Sequence, residues 1–418
     1  MENIEKAYEF AQKTYAELGV DTDEAIETLA RKSLSLQCWQ GDDVRGFERP
    51  DAVLTGGIMA TGNYPGRART PTELRSDLME AMRLIPGPHR VNLHASYGEF
   101  KKRVDRDEVE PEQFDGWIEW AKEQKLGLDF NATLFSHPRS DSGFTLSSKD
   151  PETRCFWVEH VKHTRKVAAY IGRELGSPCV HDLWIPDGMK DNCIDKDGYR
   201  RLLVDSLDKI YAEKFSTVQI RDSVESKLFG LGSESFVVGS HDFYLCYALM
   251  HSLIVCVDMG HYHPTESIAD KISSILQFMP EMMIHVSRGV RWDSDHVPIL
   301  DDQLREVAEE IVRCSALNRV HLALDYFDTS INRVAAWVVG ARATQKALLS
   351  ALLEPIGKLK EMEEGGNYTG RLALLEDAKS LPIGAVWDRF CLDQYVPLDR
   401  AWMEEVRGYE KRILSKRN

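Results

Sequence analysis

Short apolar runs recur along the chain, and each ends on a polar or aromatic residue. In order they read SLSLQCW (33–39), RVNLHAS (90–96), LGLDFN (126–131), CVHDLWI (179–185), DSVESK (222–227), LIVCVD (253–258), MMIHVS (282–287) and RVHLALD (319–325). Runs this short and this continuous predict strands covered on both faces. Between them the period lengthens to that of helices. TPTELRSDLMEAMRLI, from Thr70, and DDQLREVAEEIVRC, from Asp301, set an apolar stripe against a charged face. Thr70 is the expected N-cap of the first, with Pro71 at N1 and Glu73 closing a capping box. At the N-terminus, Ile4, Tyr8, Ala11, Tyr15 and Leu18 step by four and three, which predicts an amphipathic helix.

Eight strand–helix units within residues 1–330 predict an α/β fold, a (β/α)8 TIM-type barrel. An open doubly wound sheet or two smaller α/β domains share the same periodicity. No glycine-rich phosphate loop follows an early strand, however, and no Pro/Gly/Ser-rich linker divides the chain. Residues 331–418 read as helical throughout and are expected to form a C-terminal extension used in subunit contacts.

Composition narrows the function. The chain has 418 residues, 43% of them apolar, and a formal net charge of -15. That balance offers no basic footprint for nucleic acid or an anionic membrane. The eight cysteines are scattered, with no CxxC pair, which favours free thiols in a reducing compartment. Neither a secretory signal nor an apolar run long enough to span a membrane is present in the sequence, so the cytoplasm is the expected location.

If the runs are barrel strands, their C-terminal ends present Trp39, His94, Asn131, Trp184, Glu225, Asp258, His285 and Asp325 on the rim where such barrels do chemistry. A lone aspartate there commonly caps the next helix, and a lone histidine in an apolar run is commonly core. Convergence of several metal-capable groups is much less common by chance. Glu225, Asp258, His285 and Asp325 come from consecutive strands and are expected to hold one ion. Asp258 and His261, three apart, with Asp293 and Asp295 from WDSD, are expected to hold a second, Asp258 bridging the two. Oxygen ligands with one imidazole each suit manganese, magnesium or cobalt, with zinc also possible. Lys227, two beyond Glu225 and on the same face of the strand, is expected to contact substrate. Trp39 and Trp184 are candidate pocket walls.

The runs CWQGDDVRGFE, LTGGIMATGNYPG, RLIPGPHRVNLHASY, WIPDGMKD, VESKLFG, DMGHYHPTE, HVSRGVRWDSDHV and LDYFDTSINRVAAWV, in this order, resemble the motifs of the L-rhamnose isomerase family over essentially the whole chain. The resemblance implies a xylose isomerase-like barrel, usually a homotetramer, that uses a divalent metal pair to interconvert L-rhamnose and L-rhamnulose. It implies that His261, Asp293 and Asp295 bind the catalytic ion, that Asp258 is shared, and that Glu225, His285 and Asp325 complete the structural site. His285 stands where xylose isomerase itself has a carboxylate, which leaves metal preference open. In such a reaction His94 would move the proton of ring opening, Lys227 would bind O1, Asp325 would serve the hydroxyl proton exchange, and Trp39 and Trp184 would exclude water. Hydride transfer between C1 and C2 is the expected route, with an enediol as the chemical alternative. Ile58 and Met59, in the glycine-rich LTGGIMATGNYPG, form a candidate lid. Three other functions compete: isomerisation of another aldose, endonuclease action at abasic sites, and a metal-stabilised barrel without turnover.

Overall fold

The computed structural model describes residues 2–48, 60–228, 235–291 and 293–417, with the side chain of Asp293 outside that description. Ile58 and Met59 of the candidate lid also lie outside the described residues.

Each of the eight apolar runs forms one strand: β1 (Leu34–Gln37), β2 (His89–His94), β3 (Gly127–Asn131), β4 (Cys179–Trp184), β5 (Ile220–Glu225), β6 (Ile254–Asp258), β7 (Met282–Val286) and β8 (Val320–Leu324). All are paired in parallel with their sequence neighbours, and β1 closes on β8 with Ser35 opposite Ala323, giving a closed eight-stranded barrel. Parallel strands need long crossovers, and the helical segments provide them: Pro71–Met82, Asp115–Gln124, Pro151–Leu175, Lys196–Ile210, His241–His251, Ala269–Leu276, Asp302–Arg313 and Arg333–Leu352.

The main core fills the space between strands and helices, while a separate cluster of Val180, Ile254, Cys256, Met283 and Ala323 fills the barrel lumen. At the N-terminal end of the lumen the Arg90 guanidinium grips Asp129 at 2.9 and 2.8 Å, and the Ser35 hydroxyl donates to the same carboxylate at 2.7 Å. Burial pushes the Asp129 carboxyl up, but Arg90 outweighs it and holds the group below its usual range.

The first crossover helix starts as expected in one respect and differs in another. Thr70 Oγ1 accepts from Glu73 N at 3.2 Å, but the Glu73 carboxylate returns to the backbone N–H of Arg69, at 2.8 Å, instead of that of Thr70. The Arg69 guanidinium, 2.9 Å from Glu73 Oε1, draws the carboxylate one residue further back.

Arg333–Leu352 packs between Asp302–Arg313 and Pro71–Met82 and closes the helical ring, so the eighth barrel helix lies beyond residue 330. Four more helices follow, Ile356–Glu364, Tyr368–Ala378, Ile383–Asp393 and Ala401–Arg412. Ile383–Asp393 lies against the N-terminal helix Glu2–Glu17, whose buried face is Tyr8, Ala11 and Tyr15. The C-terminus is fastened to Pro71–Met82, where Tyr409 and Arg417 both donate to Asp77.

Candidate active site

The C-terminal rim is built by backbone bonds that carry the parallel ladder past the last strand residues. Met259 N donates to His285 O at 3.0 Å, and Asp325 N to Val286 O at 3.2 Å. With Asp258 opposite His285 in the register of β6 and β7, the side chains that leave these ends must meet. Donor atoms of Glu225, Asp258, His285 and Asp325 lie within 4.8 Å of one another, as do those of Asp258, His261 and Asp295.

The histidines are oriented by what surrounds them. His285 Nδ1 faces three carboxylates, at 3.2 Å from Asp325, 3.5 Å from Glu225 and 3.9 Å from Asp258 Oδ2. His261 turns Nδ1 towards Ser226 O, at 3.3 Å, and Glu225 Oε1, at 2.9 Å. Its Nε2 therefore faces Asp295 at 3.6 Å and Asp258 Oδ1 at 4.0 Å. The two oxygens of Asp258 thus face different histidines. Oδ1 is anchored by Gly260 N and Ser287 Oγ, both at 2.6 Å, whereas Oδ2 is buried with no hydrogen-bond partner. Asp295 Oδ1 and both ring nitrogens of His285 are buried and unpartnered in the same way.

Burial of so many like charges shifts their protonation. Desolvation, reinforced by Asp325 and Glu225, pushes Asp258 up to about 7. Burial works against protonation of His261, yet Asp258 outweighs it and lifts the ring to about 10. Asp295 is pulled the other way: burial raises it, but Lys227, with Nζ 3.7 Å from Oδ2, and His261 hold it down at about 2. A buried set of carboxylates and imidazoles with orphaned donor atoms fits a divalent cation.

Asp293 begins a short strand, Asp293–His296, paired antiparallel with Arg288–Val290; its side chain lies outside the described residues. Asp295 departs from extended strand geometry, with a φ of 67°. The backbone there is in the left-handed region, pinned by Phe327 N donating to Asp295 O at 3.2 Å. His263 stands outside the cluster, exposed, with Nδ1 2.7 Å from Thr265 Oγ1. The next helix begins five residues after Pro264, at Ala269.

Above the cluster lies a pocket lined by Trp39, His94, Phe135, Trp184, Lys227 and Phe327, among others, with Glu225, His261, Asp295 and Asp325 in its wall. Trp39 meets the His94 ring edge-on with centroids 4.4 Å apart. His94 Nδ1 is held 2.8 Å from Thr133 Oγ1, and burial, helped by Arg106, drops the ring to about 3, so it is neutral. The ammonium of Lys227 sits 5.3 Å over the Trp184 ring. Polar groups converging under aromatic walls make a site for a small molecule with one apolar face and several hydroxyls.

The profile of the family described as L-rhamnose isomerase (RhaA) matches residues 2–417. The chain belongs to the L-rhamnose isomerase family. It is 54% identical over 415 residues to the L-rhamnose isomerase of Salmonella paratyphi A, covering 99% of each chain, and equally so to that of Salmonella newport (strain SL254). Among solved structures, an L-ribulose 3-epimerase aligns with a TM-score of 0.47 at 12% identity, over 73% of this chain and 98% of that one.

Reading the strand ends and the residues just beyond them singled out Trp39, His94, Asn131, Trp184, Glu225, Lys227, Asp258, His261, His285, Asp295 and Asp325, which the structure places around one pocket and the donor clusters in its wall. It passed over Phe135, Thr133 and Phe327, which come from loops, and Asp182 and Cys256, which sit below the rim. The last two had a signal. Each stands two residues before a strand end already singled out, Trp184 and Asp258, and so shares its face.

Proposed function

We propose that this chain is a divalent-metal-dependent aldose–ketose isomerase interconverting L-rhamnose and L-rhamnulose. The observation that carries the reading is the convergence of Glu225, Asp258, His261, His285, Asp295 and Asp325 in the wall of an aromatic pocket, in a chain of this family. Glu225, Asp258, His285 and Asp325 would hold one ion; Asp258, His261, Asp293 and Asp295 would hold the other. Mostly oxygen donors favour manganese, with cobalt, magnesium and zinc as substitutes. Bound there, such ions supply Lewis acidity towards the oxygens at C1 and C2 of the sugar.

The residues do the remainder. His94 enters neutral, with its Nδ1 side held by Thr133, and its other nitrogen accepts the anomeric hydroxyl proton as the ring opens. Lys227 donates to O1. Asp325, raised by burial, takes and returns the hydroxyl proton that must pass between O1 and O2. Trp39, Trp184 and Phe135 pack on the apolar face of the sugar and exclude water while hydrogen moves between the carbons as a hydride.

A homotetramer and a cytoplasmic location belong to the same proposal. The tetramer is supported by the helix Tyr368–Ala378, which buries no residue and exposes Tyr368 and Leu372; the location is supported by eight free thiols.

The test is ketose formation from L-rhamnose by chelator-stripped protein, with and without manganese, in wild type and Asp295→Asn. Manganese should restore turnover in wild type, and the variant should lose at least about a hundredfold in kcat/KM. Stripped protein that binds manganese yet makes no L-rhamnulose would overturn the assignment. L-Mannose, D-xylose and D-allose, run in parallel, would then identify another substrate.

A further inference from the structure

Below the rim cluster lies a second set of donors that the isomerase reading leaves without a role. Asp182 and Cys256, with Glu225 and His285, bring one donor atom each to within 4.8 Å of the others, and all four residues are buried. Asp182 is opposite Ser223, and Cys256 opposite Glu225 and Met283, so both sit within the barrel lumen. Both oxygens of Asp182 are buried without a hydrogen-bond partner, and so is His285 Nε2. Since His285 Nδ1 already faces the rim carboxylates, Nε2 is the atom left for this lower cluster. Under it the lumen is closed by the apolar side chains of Val180, Ile254, Met283 and Ala323, which offer these groups no hydrogen-bond partner.

We infer that Asp182, Glu225, Cys256 and His285 form a third cation site, below the two rim sites and sharing Glu225 and His285 with one of them, that takes borderline and soft divalent ions such as zinc, cobalt(II) and cadmium. The reason is the donor set. One thiolate, one imidazole and two carboxylates make a four-donor S, N, O, O site, the number and type that zinc and cobalt(II) accept. Manganese and magnesium want more oxygen ligands and are disfavoured by sulfur. Binding replaces the Cys256 thiol proton by the ion, and that proton is released to solvent. Glu225 and His285 serve both levels, His285 through Nδ1 at the rim and Nε2 below.

Cobalt(II) is the probe, because a thiolate ligand gives it a near-ultraviolet charge-transfer absorption that oxygen and nitrogen ligands do not. Chelator-stripped protein titrated with cobalt(II) should develop that band, and Cys256→Ser should abolish it. Replacing the exposed Cys155 and Cys246 by serine should leave it intact. Asp182→Asn should keep the band but weaken cobalt binding by at least about tenfold, as loss of a ligand costs no less than loss of an outer-shell partner. No band in wild type, or a band that survives in folded Cys256→Ser, overturns the site. If Cys256→Ser fails to fold, the Asp182→Asn titration decides: unchanged affinity overturns the site, weakened affinity supports it. The readout is absorption, not turnover, so it stands or falls separately from the isomerase assignment.

Discussion

Stripped of cations, Asp258 is held up at about 7 by its burial, reinforced by Asp325, Glu225 and Asp295, while an unfolded aspartate titrates at about 4. A carboxyl raised in the folded state contributes stability that is complete below the unfolded value and is lost as pH rises through the folded one. His261, lifted to about 10, adds a loss in the same direction at higher pH. A bound divalent cation removes both effects by replacing the protons. Thermal melts of stripped and manganese-loaded protein between about pH 5 and 9 should therefore diverge, with the stabilisation by manganese growing as pH rises. Asp258→Asn should flatten the stripped curve through the window from about 4 to 7. Parallel curves for the two forms would show that the rim does not exchange protons for metal.

At the scale of elements, the turn after β6 decides how well Asp258 is aimed. A Cβ on Gly260 would come within 2.9 Å of Ser287 Oγ, which anchors this carboxylate, 3.0 Å of Ser294 Cβ and 3.3 Å of Asp258 Oδ1 itself. Gly260→Ala should thus cost catalysis more than stability: kcat/KM down about tenfold or more, with a melting temperature near that of wild type. A melting temperature that collapses in proportion would mean the turn supports the fold and not the site. These turns also mark the limit of what the sequence conveys. The eight strands were legible because a buried parallel strand has only one pattern to follow, and their ends carried Glu225, Asp258, His285 and Asp325 with them. The left-handed Asp295 was not legible, since its conformation is imposed by Phe327 from another loop. Nor was the return of Glu73 to Arg69, which a neighbouring guanidinium redirects. The break between the eighth barrel helix and the extension was hidden too, because Arg333–Leu352 and the helices after it are all helical and periodicity does not say which of them packs on the barrel.

For the whole molecule, the pairings that matter are between residues far apart in sequence, which no local pattern encodes. Arg417 reaches back to Asp77, with Nη1 2.5 Å from Oδ2 and Nη2 2.9 Å from Oδ1, and Tyr409 donates to the same carboxylate at 2.6 Å. The Asp77 carboxyl is almost wholly buried, and burial lifts it despite Arg417. Removing the arginine would leave a buried, poorly compensated charge, so Arg417→Ala should destabilise by about 3–5 kcal/mol. Adding Asp77→Asn should recover part of that loss, because the amide needs no counter-charge; a double variant as unstable as the sum of both would argue against a charge penalty. The same extension bears on assembly. Tyr368–Ala378 packs on Ile356–Glu364 yet buries no residue, and its Leu372 is 68% exposed. Placing a carboxylate there, as Leu372→Glu, would strand a charge in any apolar contact between subunits. Light scattering should then report a species smaller than the wild-type assembly proposed above, with the barrel still folded. An unchanged mass would assign the subunit contacts to other surfaces and leave this helix in solvent.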